Sequence, residues 1–113
     1  MIYTDVDLKE VLELINRCRQ ACGLTTLESI PKGRVRDLCG CPFAKAFSDC
    51  GVVISVTESC ISWVESACAQ PMADVLEATS EPMGNGTFTV SLPPLLKKFI
   101  INFDQNSYPE LIA

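Results

Sequence analysis

Leu8, Val11, Leu12, Ile15, Cys18 and Cys22 recur at intervals of three and four along the first part of the chain. That spacing marks one face of an amphipathic helix, predicted over residues 4–22. Thr4 with Asp7 resembles a capping pair. Asp5, Asp7 and Glu10 suit the positive end of the helix, and Arg17 and Arg19 the negative end. Gly23 can take the left-handed conformation that stops it. A connector follows, in which Pro31 forces Ile30 extended, Lys32-Gly33 turns, and Arg34 and Arg36 alternate with Val35 and Leu38.

The next apolar group is shorter. Cys41-Pro42 opens a second helix of roughly two to three turns, with Phe43, Ala46 and Phe47 inward and Gly51 ending it. Val52, Ile54 and Val56 alternate, which predicts a strand over 52–57. Glu58-Ser59 then turns the chain into a second strand over 60–65. The competing reading places Ile61, Val64 and Cys68 on one face of a helix. The hairpin is preferred because Ser, Cys, Ile, Trp and Val form helices poorly.

Pro71 suits the first turn of a third helix reaching about residue 79, with Met72, Val75 and Leu76 inward. Residues 81–86 read as a turn and 87–92 as an alternating strand. Pro93-Pro94 starts a last helix with the stripe Leu95, Leu96, Phe99, Ile100 and Phe103, followed by a tail with one short helical turn. The order α-α-β-β-α-β-α lacks regular β-α-β alternation. It predicts one α+β domain, an antiparallel sheet of about three strands with about four helices packed on one side.

A length of 113 residues with 48% hydrophobic positions suits a single domain with a real core. No window approaches the ~18 apolar residues of a membrane span, and the N-terminus lacks a signal-peptide pattern. A cytoplasmic, reducing location is therefore expected, with no membrane partner. The net charge of −5 argues against nucleic acid or acidic membranes as partners. Its distribution adds more. Arg17, Arg19, Lys32, Arg34, Arg36 and Lys45 supply six of the nine basic residues, and none lies between 46 and 96. Asp49, Glu58, Glu65, Asp74, Glu77 and Glu81 fill that acidic middle. The two regions are either neighbours in one fold or a self-complementary surface of a homodimer. The basic loop, with Arg34, Arg36 and Lys45, is also a candidate anion or partner site.

Seven cysteines in a reducing compartment read mainly as small core side chains. Cys39, Cys41, Cys50 and Cys60 could in principle close a structural zinc site. The single residue between Cys39 and Cys41, and the absence of any His, argue against it. Cys41 at a helix N-terminus is instead a candidate redox thiol, with Cys39 as resolving partner. The plainer alternative is a thiol packed under the turn. Without His, acid–base or nucleophilic catalysis lacks its usual base, so no catalytic residue and no cofactor are expected. Trp63 and Tyr108 are either core aromatics or part of a partner surface, and the apolar tail could dock on a neighbouring subunit.

Two stretches resemble small uncharacterised bacterial and phage-borne proteins of the kind carried by integron gene cassettes. They are Cys41-Pro42-Phe43-Ala44-Lys45-Ala46-Phe47, and Leu92-Pro93-Pro94-Leu95-Leu96-Lys97-Lys98-Phe99 continuing through Phe103-Asp104 to Tyr108-Pro109-Glu110-Leu111. The resemblance implies a compact accessory protein of a mobile genetic element and brings no site with it. The sequence as a whole points to a non-enzymatic binding or interaction module, homodimeric, with a protein or small-molecule partner. A thiol-based redox or sensor protein is the alternative, and a structural zinc protein the lesser one.

Overall fold

The computed structural model describes residues 2–47, 55–84 and 86–113, apart from the side chains of Ser62, Trp63 and Ser66. Helix α1 spans Leu8–Ala21 and buries Val11, Ile15 and Cys18, as the spacing predicts. It starts later than residue 4, because the Asp7 carboxylate alone accepts the Lys9 N–H, at 2.9 Å, and closes the first turn. Arg19 is not a solvated end charge. It is 7% exposed and donates to the carbonyls of Thr25 and Ala46, tying the end of α1 to the end of α2.

Helix α2, Pro42–Lys45, is a single turn. It is shorter than the expected two to three turns, since Ala46 and Phe47 already form a turn, and Ser48 to Cys50 of the expected helix and Val52 to Ile54 of the expected strand lie outside the described residues. Strand β1, Ser55–Val56, pairs antiparallel with β2, Cys60–Glu65, through the expected turn at Glu58-Ser59. The Thr57 hydroxyl accepts the N–H groups of Ser59 and Cys60, at 3.2 and 3.0 Å, and fixes that turn.

A bulge explains the helix-like spacing in β2. Ile61 pairs with Val90 and Val64 with Phe88, so three steps on β2 match two on β4. The extra residue returns Val64 to the buried side, leaving Ile61 and Val64 both fully buried. Helix α3, Ser66–Leu76, begins at once and places Pro71 in its interior, five residues earlier than the proline suggests. The helix tolerates the lost hydrogen bond because Cys68, Ala69, Met72, Ala73 and Leu76 are buried against the sheet and α1. Glu77 in the left-handed conformation ends it, short of residue 79.

The segment read as a turn contains a further strand, β3, Ser80–Pro82, which pairs with β4, Thr87–Ser91. Its Pro and Glu disguise it, and both are tolerated on an edge strand. The described sheet therefore has four antiparallel strands in the order β1-β2-β4-β3, not three. The fold is α+β, with the order α-α-β-β-α-β-β-α. Helix α4 runs Pro94–Asp104 from the expected proline start, and a 3-10 turn covers Pro109–Leu111. The core joins Phe43, Phe47, Phe99 and Phe103 to Val11, Ile15, Ile61, Met72 and Leu96. Among the described residues, no helix is long and apolar enough to cross a membrane.

Candidate functional site

The loop from Gly33 to Cys41 is held from three sides. The Gly33 N–H donates to the Leu111 carbonyl at 2.8 Å, and the Ala113 N–H donates back to Gly33 at 2.9 Å, forming a parallel bridge to the tail. On its other side Gly33 packs against the Gly40–Pro42 backbone so tightly that a Cβ would lie 2.5 Å from the Gly40 oxygen. Arg36 takes a left-handed φ of 54°, an uncommon state for a non-glycine residue. Asp104, the last residue of α4, fastens it there. Its carboxylate accepts the Arg36 N–H at 2.9 Å, and its carbonyl accepts the guanidinium at 3.3 Å. The Asp37 carboxylate then accepts the Cys39 N–H at 3.0 Å, and the Leu38 carbonyl accepts the Val56 N–H at 2.8 Å, covering the edge of β1.

Between this loop, the β1–β2 turn and the end of α4 lies a cleft of about 450 Å³. Leu38 lines it with exposed aliphatic surface, Cys41, Val56 and Ile100 reach it though almost wholly buried, Thr57 and Ser59 add hydroxyls, and Arg36, Asp37, Glu58 and Asp104 add charge. Leu38 is 55% exposed beside it. The volume lies within the range of roughly 300–1,000 Å³ common to small-molecule sites. Of its charged residues, three are carboxylates and one is a guanidinium.

Cys41 sits at the N-terminus of α2, where its Sγ accepts the Ala44 N–H at 3.4 Å. Its chemistry is nevertheless that of a buried thiol. It contributes to the cleft wall while only 2% exposed, and burial pushes its pKa up to about 11 against the stabilising amides of Ala44 and Phe43. The charges of Asp104 and Asp37 push the same way. A single turn carries too small a dipole to prevail. Cys39 is exposed, and Cys60 is half-buried with its Sγ 3.5 Å from the Thr57 hydroxyl. Cys50 falls outside the described residues. Among those described, no three Cys, Asp or Glu side chains gather in a way that could hold a metal ion.

The basic candidates are dispersed. Only Arg36 lines the cleft, while Arg34 and Lys45 are exposed elsewhere on the surface. Trp63 falls in the β2 bulge, and its side chain is not described. Tyr108 is docked on its own chain. Its ring stacks on Phe99 at 5.5 Å, and its hydroxyl accepts from the buried Asn102 at 2.9 Å. The tail around it is likewise engaged in cis, with Leu111 8% exposed.

The sequence reading missed Asp37, Glu58 and Asp104 as a group, because they are brought together from a loop, a turn and a helix end. Arg19 and Asn102 left a weak signal. Each occupies a position on an apolar stripe, four after Ile15 and three after Phe99. Compared with known proteins, the chain matches no family model, and neither the curated proteins nor the solved structures give a significant match.

Proposed function

We propose that this chain is a non-enzymatic binding module whose small-molecule site is the cleft between the Gly33–Cys41 loop, the β1–β2 turn and α4. One observation carries the reading: about 450 Å³ of space is lined by hydroxyls and charges together with the more than half exposed side chain of Leu38. No His in the sequence and a buried, protonated Cys41 speak for binding over catalysis. The loop is anchored at Gly33, Arg36 and Leu38, so the site is largely formed before a ligand arrives.

A homodimer and the mobile-element accessory role belong to the same proposal. Exposed Lys32, Arg34 and Arg36 on one stretch, and exposed Glu58, Glu65, Asp74, Glu77 and Glu81 on another, support pairing of copies by charge. The tail no longer adds to that argument, since it is engaged within its own chain.

The cleft is tested by screening a fragment library against the ¹⁵N-labelled protein. Hits should move the amide signals of Leu38, Val56, Thr57 and Ser59 saturably. Ser59→Phe, which fills the opening from an exposed position, should abolish them while the rest of the spectrum persists. Hits that map elsewhere and survive Ser59→Phe would rule the cleft out.

A further inference from the structure

Resting on that cleft reading, we propose that the site selects a small organic cation, an ammonium or amidinium group carried on an apolar body. Leu38, more than half exposed, is the aliphatic side chain that the cleft offers to an apolar body, while Val56 and Ile100 reach it with only 2% of their surface exposed.

Charge sets the second requirement. Arg36 is the cation of the lining, and its guanidinium is already directed at the Asp104 carbonyl, at the negative end of α4. Against it stand three carboxylates. Asp104 uses Oδ1 on the Arg36 N–H, and Asp37 uses Oδ1 on the Cys39 N–H. Each keeps a second oxygen. Glu58 is exposed at the turn, and no described residue pairs with it.

The thiol of Cys41 reports the resulting potential. Apart from burial, the charges that reach it are those of Asp104 and Asp37, and both oppose a negative sulfur. An anion entering the cleft would meet the same repulsion, and a cation would meet attraction. The Ser59 hydroxyl can accept a hydrogen bond from an N–H group of such a ligand, whereas that of Thr57 is taken up by the Ser59 and Cys60 amides. The basic loop that the sequence offered as an anion site thus helps to build a cleft of the opposite preference. Arg36 serves there as a strut.

The test compares three probes of one size and different charge by ¹⁵N-detected titration of the full chain: benzylamine, benzyl alcohol and benzoate. Benzylamine should shift the amides of Leu38, Thr57 and Ser59 and bind roughly threefold or more tighter than benzyl alcohol, with benzoate weakest. Glu58→Gln keeps the length of an exposed side chain and should narrow that gap, as should added salt. Benzyl alcohol or benzoate binding in the cleft as tightly as the amine would overturn the cation preference and leave the cleft reading standing. If none of the three moves the cleft amides at any concentration, the cleft reading falls and the cation preference with it.

Discussion

At the scale of single residues, Cys41 illustrates two opposed effects and which of them wins. Helix-terminal amides lower a thiol pKa, and loss of water raises it. At 2% exposure on a one-turn helix, burial prevails. Cys18 behaves alike, with burial raising its pKa to about 12. Both start from 9.0 in the unfolded chain, so the unfolded state loses these protons first as the pH climbs. Their contribution is whole below pH 9 and is lost as the pH rises through 11 to 12. Urea denaturation should therefore show stability falling above pH 9, with Cys41 alone accounting for on the order of 2–3 kcal/mol once its folded pKa is passed. Cys41→Ala should flatten part of that fall. In the same protein at neutral pH, iodoacetamide should label exposed Cys39 readily and Cys41 only as fast as the fold opens. Equal rates would favour the redox alternative over the binding reading.

Among the elements, the Gly33–Cys41 loop shows how irregular backbone is fixed without a sheet or helix of its own. Its anchors are all backbone groups or short carboxylates: the bridge to the tail, the Asp104 clamp on Arg36, and the Leu38 carbonyl on Val56. Gly33 is the tightest point, because three atoms of the Gly40–Pro42 backbone lie within 2.8 Å of where a Cβ would sit. Gly33→Ala should force Gly33 away from the Gly40–Pro42 backbone and cost on the order of 1–3 kcal/mol in urea denaturation. Gly23→Ala is the matched control. Gly23 has open space around it and only its left-handed φ of 78° to lose, so a smaller cost of about 1 kcal/mol is expected. Equal losses would mean that the close approach at Gly33 yields easily.

For the molecule as a whole, the question is assembly. Edge strand β3 carries Glu81 and Pro82, which discourage pairing along the sheet, and the Leu38 carbonyl engages the outer side of β1. The tail is docked in cis. The proposed dimer rests on electrostatic pairing of the basic and acidic stretches, and exposed pairs are weak and sensitive to salt. Size exclusion with light scattering should give twice 12.3 kDa at low ionic strength, shifting toward the monomer as salt is added. A monomer at every concentration and salt level would remove the homodimer and leave the cleft untouched.

Helix α1, the β1–β2 hairpin, the proline start of α4 and the α+β class were legible in the sequence because each rests on local rules: apolar period, turn residues and Pro geometry. The apolar spacing of Ile61, Val64 and Cys68 was ambiguous because a bulge between Ile61 and Val64 mimics helical spacing and Cys68 already belongs to α3. Strand β3 was hidden because an edge strand accepts Pro and Glu that a central strand would reject. Pro71 misled because burial of the α3 face outweighs a local penalty only once the sheet and α1 are in place. The cleft was the least readable feature. Asp37, Glu58 and Asp104 belong to three separate segments, and their distance in space depends on the packing of the whole chain. Sequence by itself determined α1, the β1–β2 hairpin, β4 and the start of α4, since the period of apolar residues and the geometry of proline act over a few residues. Only the tertiary structure decided where charges meet and which thiol is dry, since potential and desolvation depend on neighbours remote along the chain.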